Sequence, residues 1–468
     1  MTEGNSALRA ATLGAAPRTS MATHGETPMH SSAPGDAAPT LAGDSDITAQ
    51  AVRKAAWRLI PLLALGYLIS YIDRTNIGIA ALTMNRELGL SATQFGFAGG
   101  MFYVGYVSLE LPSNLALRRF GARRWLARIM VSWGLAAAAT SLATGPTSFY
   151  GLRMLVGACE AGFYPGVIYY LSTWFPASVR ARTFGWFILS NPLSSVVSGP
   201  LSTALLQRMD GILGHSGWRW LLVCEGLPAC ILGFITFYVL PDRPREARWL
   251  TTAQGVALES SLAAERGAHI TGDLWSAVRD SRVLVMAVSY FCLIAAVLGV
   301  TLWLPQILKQ RGLTTTQIGY ASALPYLLAS VGMIIWSAHM DRTRRFLANY
   351  VVGCWAAALG LAVAAAFDSL PILLAGISVT LIGANSCRPA LFSMLPAFVQ
   401  GAAAAGAIAL VNSIGNLGGF LGPITVGWLR DATGSFAAGL FGLAGLLTLA
   451  GAIALFLPRV ERRAGNSP

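Results

Sequence analysis

Charge is what this chain has least of. Asp, Glu, Lys and Arg make up 12% of its 468 residues, against roughly a quarter in a soluble domain, while 54% are hydrophobic. That balance excludes an ordinary soluble fold. Histidine is scarce as well: the five present include no pair at metal-ligand spacing, and His24, His30 and His215 lie in the tail or a loop, so no metal centre is expected. The six cysteines, Cys159, Cys224, Cys230, Cys292, Cys354 and Cys387, all fall within apolar stretches, where a thiol packs as a small hydrophobe and implies no disulfide framework. Residues 1–50 are rich in Ala, Thr, Gly, Ser and Pro and lack the apolar core of a secretory signal, so 1–52 is expected to be a disordered cytoplasmic extension. There is no catalytic constellation and no soluble signalling domain, which argues against an enzyme and against a membrane sensor.

Apolar sequence, by contrast, is abundant. Stretches of about 20 residues, the length that crosses a ~30 Å hydrocarbon core, recur along almost the whole chain. Twelve are counted, beginning near Trp57, Gln94, Trp125, Phe149, Arg182, Trp218, Val283, Gln317, Ala348, Pro371, Ala403 and Phe436. The expected class is an all-α membrane protein, with the lipid bilayer as its surroundings. The formal charge of +12 does not point to nucleic acid, because the basic residues sit in alternate loops rather than on one face. Arg118, Arg119, Arg123 and Arg124 lie between spans two and three, Arg180 and Arg182 between four and five, and Arg342, Arg344 and Arg345 between eight and nine. Arg243, Arg245, Arg248 and Arg266 follow span six, and Arg459, Arg462 and Arg463 are in the tail. The opposite loops carry only Arg86, Arg208, Arg219, Lys309, Arg311 and Arg430. By the positive-inside rule both termini are cytoplasmic, which requires an even number of spans.

The one long polar interruption divides the spans six and six. The expected organisation is an N-terminal bundle over 53–241, a cytoplasmic linker over 242–278, a C-terminal bundle over 279–458 and a tail over 459–468. A weak repeat supports it: Asn191 is followed by Gly199-Pro200 in span five and Asn412 by Gly422-Pro423 in span eleven, and the loops LRRFGARR and MDRTRR correspond. Paired six-helix bundles with a substrate site between them near the midplane are the plan of the major facilitator fold. The stripe Gly415, Gly418, Gly419 and Gly422 in span eleven lets a neighbouring helix approach closely.

A few ionisable residues are stranded at depth: Asp73 and Arg74 in span one, Arg153 and Glu160 in span four, Arg388 in span ten. A charge at mid-membrane depth costs roughly 2.5–3.5 kcal/mol on insertion scales, so it persists where it faces a wet cavity, a partner or a substrate. The pattern points to transport. In GLRMLVGACEAGFYPG, Arg153 and Glu160 share one helix face about 10.5 Å apart along the axis. That face presents a fixed cation and a titratable carboxylate, and Glu160 is placed to exchange a proton as access alternates; a static ion pair with another helix is the structural alternative. In LGYLISYIDRTNIG, Asp73 and Arg74 project about 100° apart. Arg74 shares a polar stripe with Tyr67, Ser70 and Tyr71 and reads as the cation for a substrate carboxylate, its planar fork matching two oxygens. Asp73 is a second titratable or pairing group, with a neutralising Asp73–Arg153 pair as its alternative.

The second half has one deep charge, Arg388, in ANSCRPALFSMLP. Proton handling is therefore expected in the first half, and substrate contacts from Arg388, Ser393, Asn412 and Asn416 in the second. The alternative role of Arg388 is to satisfy carbonyls freed at Pro389. Glu110 and Asp341 are expected in gating or packing ion pairs beside the basic loops, and Glu225 in a pair with a nearby basic residue.

The strings YIDRTNIG, ELPSNLALRRFGARRW, GLRMLVGACEAGFYPGVIYYLSTWFP, GWRWLLVCEGLPA, LPDRPREARWLT and NSIGNLGGFLGP resemble the anion:cation symporter family of the major facilitator superfamily over about residues 53–458. That family includes permeases for tartrate, galactonate, phthalate and hydroxyphenylacetate. The resemblance implies proton-coupled uptake of an organic anion. By position it places the span-one Asp-Arg on Asp73 and Arg74, the span-four Arg and proton-coupling Glu on Arg153 and Glu160, a substrate-facing tyrosine on Tyr106, and polar contacts on Asn191 and Asn412. One departure stands out: FWALP in members with small sugar-acid substrates reads FSMLP here, so Ser393 replaces a tryptophan.

The expected function is import of a small carboxylate, whether an aromatic acid, a dicarboxylate or a sugar acid, by a monomer in a bacterial plasma membrane. The proton is the coupling ion and no cofactor is expected. A proton-antiport exporter of organic anions or drugs is the alternative, although drug antiporters carry a fuller glycine-rich motif in span five than NPLSSVVSGP.

Overall fold

The computed structural model describes residues 41–266, 279–399 and 402–457. The described residues from Ser45 onward form one compact unit. Every long element is a helix. Spans one to three are α1 (Leu41–Glu87), α2 (Ala92–Phe120) and α3 (Ala122–Ala139). Span four is α4 (Pro146–Glu160) with α5 (Phe163–Ser172), span five is α6 (Ala177–Ile188) with α7 (Ser190–Arg208), and span six is α8 (Gly217–Val239). After α9 (Thr252–Arg266), spans seven to twelve are α10 (Ser281–Gln310), α11 (Thr315–Thr343), α12 (Phe346–Ala366), α13 (Leu370–Phe398), α14 (Ala402–Thr433) and α15 (Phe436–Ala454).

Nine of the described helices are long and apolar enough to cross a membrane by themselves. The other three spans fall short for local reasons. α2 is diluted by Gln94, Gly96, Gly99, Gly100 and Gly105 before it reaches Glu110, and spans four and five are each broken by proline. Pro165 has no N–H for the Ala161 carbonyl, and Gly162 takes the left-handed conformation there at φ 87°. Pro192 likewise leaves the Ile188 carbonyl free, and α6 ends at Ile188. Glu160 is thereby the last residue of its helix, beside a break.

Two expected boundaries move. Helix α1 begins at Leu41, with Ala51 and Ala55 fully buried, so the extension expected over 1–52 is shortened by a docked helical stretch; residues 1–40 lie outside the described residues, as do 267–278 and the tail 459–468. The linker holds α9, whose Leu258 and Leu262 are buried in the cluster containing Leu59 and Trp174. Lys54 donates to Gln254 at 3.0 Å, Arg180 pairs with Glu265 at 3.0 Å, and Trp249 stacks on Trp174 at 5.7 Å. The polar interruption is thus a helix clamped to the first half.

The two halves meet mainly at the end of the bundle where α1 leads into α2. Asp431 of α14 accepts the backbone N–H groups of Ala92 and Thr93 at 3.1 and 2.7 Å and the Thr93 hydroxyl at 2.6 Å, so the second half caps the first turn of α2. Lys309 donates to the Leu82 carbonyl at 2.6 Å and Thr316 to Gln207 at 2.9 Å. Glycines make this seal close: a methyl at Gly96 would strike the Pro423 carbonyl, and one at Gly199 the Gly319 carbonyl. In the stripe of α14, Gly418 and Gly422 lie against the backbone of α10, whereas Gly415 and Gly419 lie against the rings of Tyr290 and Tyr103. Toward the opposite end, Asn412 and Ser413 are the described residues that hydrogen-bond across the halves, to Glu110.

Candidate functional site

Glu160 and Arg74 form the centre. Arg74 donates from Nε at 2.9 Å and from Nη2 at 2.6 Å to Glu160 Oε1, and Ser70 donates to the same oxygen at 2.5 Å. Glu160 is fully buried, yet its Oε2 has no hydrogen-bond partner among the described residues. Three donors on one carboxyl oxygen and none on the other is an unequal load, and the bare oxygen is where a proton would sit. The Arg74 guanidinium lies 5.2 Å from the Tyr71 ring, 5.2 Å from Phe102 and 5.0 Å from Tyr106, a cage in which ring faces stabilise the cation. The break at Gly162 ends α4 at Glu160, next to α1.

Arg153, two turns earlier on the same face of α4, is 5% exposed, lies over Phe102 at 5.1 Å and forms no ion pair among the described residues. The pair expected as an alternative, Asp73 with Arg153, does not form. Asp73 instead accepts from the Trp133 indole at 2.8 Å and from Asn76 at 3.4 Å. Three other expected ion pairs are also corrected. Glu225 is bonded to the Ser202 hydroxyl at 2.7 Å, Glu110 to Ser413 at 3.3 Å and Asn412 at 3.5 Å, and Asp341 is exposed with no ion pair among the described residues. For Glu225 and Glu110 a neutral donor takes the place of the expected cation.

From the second half, Arg388 reaches across to Tyr71 and lies close to Tyr290. Its Nε is buried without a partner, and Tyr290 is held edge-on by Phe392 at 5.4 Å. Tyr71 thus lies near both deep cations, Arg74 and Arg388. Asn191 and Asn412 are half-buried, on α7 and α14. Ser393 is exposed and sits five residues past Arg388, about 140° round the helix, so it is not on the Arg388 face. Sequence reasoning missed Ser70 as a partner of Glu160, Phe102 as the ring shared by Arg74 and Arg153, and Tyr290. A serine one turn before Arg74 was the available signal for the first; nothing in the sequence pointed to the others.

The sequence model of the Major Facilitator Superfamily matches residues 63–384. The chain belongs to the major facilitator superfamily. Among curated relatives, a protein of Agrobacterium vitis named "Putative tartrate transporter" is 43% identical over 429 residues, covering 90% of this chain and 95% of that one. The "Quinolone resistance transporter" of Acinetobacter baumannii is 37% identical, covering 89% and 97%. Among solved structures, the D-xylose-proton symporter superposes with a TM-score of 0.71 at 16% identity over 86% of this chain and 98% of that one, a likeness of fold. This facilitator is a multi-pass membrane transporter and not an enzyme, and its two six-helix halves are those expected of the fold.

Proposed function

We propose that this protein is a proton-coupled importer of a small carboxylate, working by alternating access as a monomer in a bacterial plasma membrane. The observation that carries the reading is the Arg74–Glu160 pair, with Glu160 Oε2 bare. With Glu160 ionised, Arg74 is neutralised within the protein and has little to offer an anion. A proton on Oε2 discharges Glu160 and releases the guanidinium, which then takes the substrate carboxylate in its place. Proton and anion enter together, and the buried charge stays balanced. Arg388, across Tyr71, is the second cation, so a dicarboxylate or hydroxy acid bracketed by both halves fits best. The name of the 43% identical relative agrees with that class.

The arginine asymmetry sets the orientation. Arg118, Arg119, Arg123 and Arg124 cluster at the α2–α3 turn, and Arg180, Arg342, Arg344 and Arg345 lie in loops of the same end, whereas the opposite loops carry Arg86, Arg208, Arg219, Lys309, Arg311 and Arg430. The arginine-rich end belongs in the cytoplasm. The sealed α1–α2 end is then external, and the conformation faces inward.

Export is the second reading, favoured by the name of the 37% identical relative. Right-side-out and everted vesicles carrying the protein, offered tartrate and a panel of aromatic and sugar acids, decide between them. Import predicts accumulation in right-side-out vesicles when the proton gradient is directed inward. Accumulation in everted vesicles alone would establish export.

A further inference from the structure

The transport reading uses Glu160 and leaves another buried carboxyl group unexplained. Glu225 of α8 is 4% exposed and has no Arg, Lys or His within ion-pair distance among the described residues. Its Oε1 accepts from Ser202 of α7 at 2.7 Å, while its Oε2 is buried without a partner. Beside it lies Asn76 of α1, 1% exposed, whose Oδ1 is also buried without a partner. The other end of that amide donates to Asp73 Oδ1 at 3.4 Å, and Asp73 Oδ2 is held by Trp133 at 2.8 Å. The Asn76 amide therefore stands beside two buried carboxyl groups, and Glu225 Oε2 and Asn76 Oδ1 each lack a donor among the described residues. Buried polar atoms are rarely left so. A proton on Glu225 Oε2 removes the bare charge and turns an unmet acceptor into a donor.

We propose that Glu225 holds an exchangeable proton, distinct from that of Glu160, which Asn76 links to Asp73. The proposal rests on the reading of the chain as proton-coupled. The titratable and charged groups facing this chain are Asp73 from α1, Glu160 and Arg153 from α4, and Cys224 and Cys230 from α8; Arg153, the cation among them, stands on the Asp73 side. The position gives the proton a consequence. Ser202 lies on α7 between Gly199 and Thr203, where α7 closes against Gly319 of α11 in the other half. Ionised, Glu225 is a bare charge that one hydroxyl cannot satisfy, so its charge state bears on the segment of α7 that seals the α1–α2 end.

Infrared spectroscopy of the reconstituted full-length protein, titrated from about pH 5 to about pH 9, tests this through the carbonyl stretch of protonated carboxyl groups. Wild type is expected to show a carboxylic-acid band that fades as pH rises, that Glu225→Gln removes and that Glu160→Gln retains. The glutamine keeps an acceptor for Ser202 and places N–H donors where Oε2 stands. Glu225→Asp, which restores a carboxyl group, is expected to shift the band rather than abolish it. Identical spectra for wild type and Glu225→Gln at every pH would overturn the proposal, and so would a Glu225 band that pH leaves unchanged. Gradient-driven uptake surviving in Glu160→Gln would sink the role of Glu160 without touching this band, so the two failures are distinguishable.

Discussion

Arg74 is a residue whose partner changes with the state of the site, and replacing it separates its two roles. A charged hydrogen bond typically contributes about 1.5–3 kcal/mol, so Arg74→Gln is expected to weaken substrate binding by roughly 10- to 150-fold. Arg74→Lys keeps the charge but not the planar fork and should recover only part of the loss. Equilibrium binding to purified protein checks both, and unchanged affinity in Arg74→Gln would remove Arg74 from the substrate site. Arg388→Gln is expected to act in the same range on a two-carboxylate substrate and little on a monocarboxylate. These residues were legible in the sequence because a charge in an apolar run announces itself. Their pairings were not. Glu225 and Glu110 were expected to find cations, and Asp73 had a pair with Arg153 as its alternative, yet each is bonded to a hydroxyl, an amide or an indole, because which donor comes closest depends on how separate helices are rotated against each other.

At the scale of the helix, the breaks and seals matter most. Pro165 and Gly162 stand in the span-four string, but only the fold shows that the break there ends α4 at Glu160. Asp431 caps α2 from the other half, and losing an N-cap costs about 0.5–2 kcal/mol. Asp431→Ala is therefore expected to raise the share of molecules open at the α1–α2 end by roughly 2- to 30-fold. With the native cysteines replaced by serine, the thiol reactivity of Ser322→Cys, buried between the halves beside Ser198, reports that opening. An unaltered rate would show that the cap does not govern the seal. Gly422→Ala drives a methyl into the Ala295 carbonyl, and overpacking of this kind costs about 1–3 kcal/mol. A lower midpoint of thermal unfolding is expected, with a larger effect than at exposed Gly445, where a methyl meets nothing. Helix α9 was hidden in the sequence because its composition is that of a polar linker; two leucines four residues apart, Leu258 and Leu262, were the faint sign that it docks.

For the whole molecule, twelve spans in two halves followed from length and hydropathy, since the bilayer fixes how long an apolar helix must be. The conformation did not follow, because one sequence serves every state of an alternating-access cycle. Orientation is open to direct test: a cysteine at Ser260, exposed on α9, should resist an impermeant thiol reagent in intact cells and react once the cells are opened. Reaction in intact cells would reverse the topology and with it the inward-facing assignment. The central claim, that a proton on Glu160 frees Arg74 for the anion, is tested most directly in proteoliposomes carrying wild type or Glu160→Gln. A labelled carboxylate that the wild type transports, tartrate first, is followed under an inward proton gradient and, separately, in exchange without one. The account predicts that Glu160→Gln exchanges substrate but no longer accumulates it against its gradient, whereas uphill uptake in that variant with the pH dependence of wild type would contradict it.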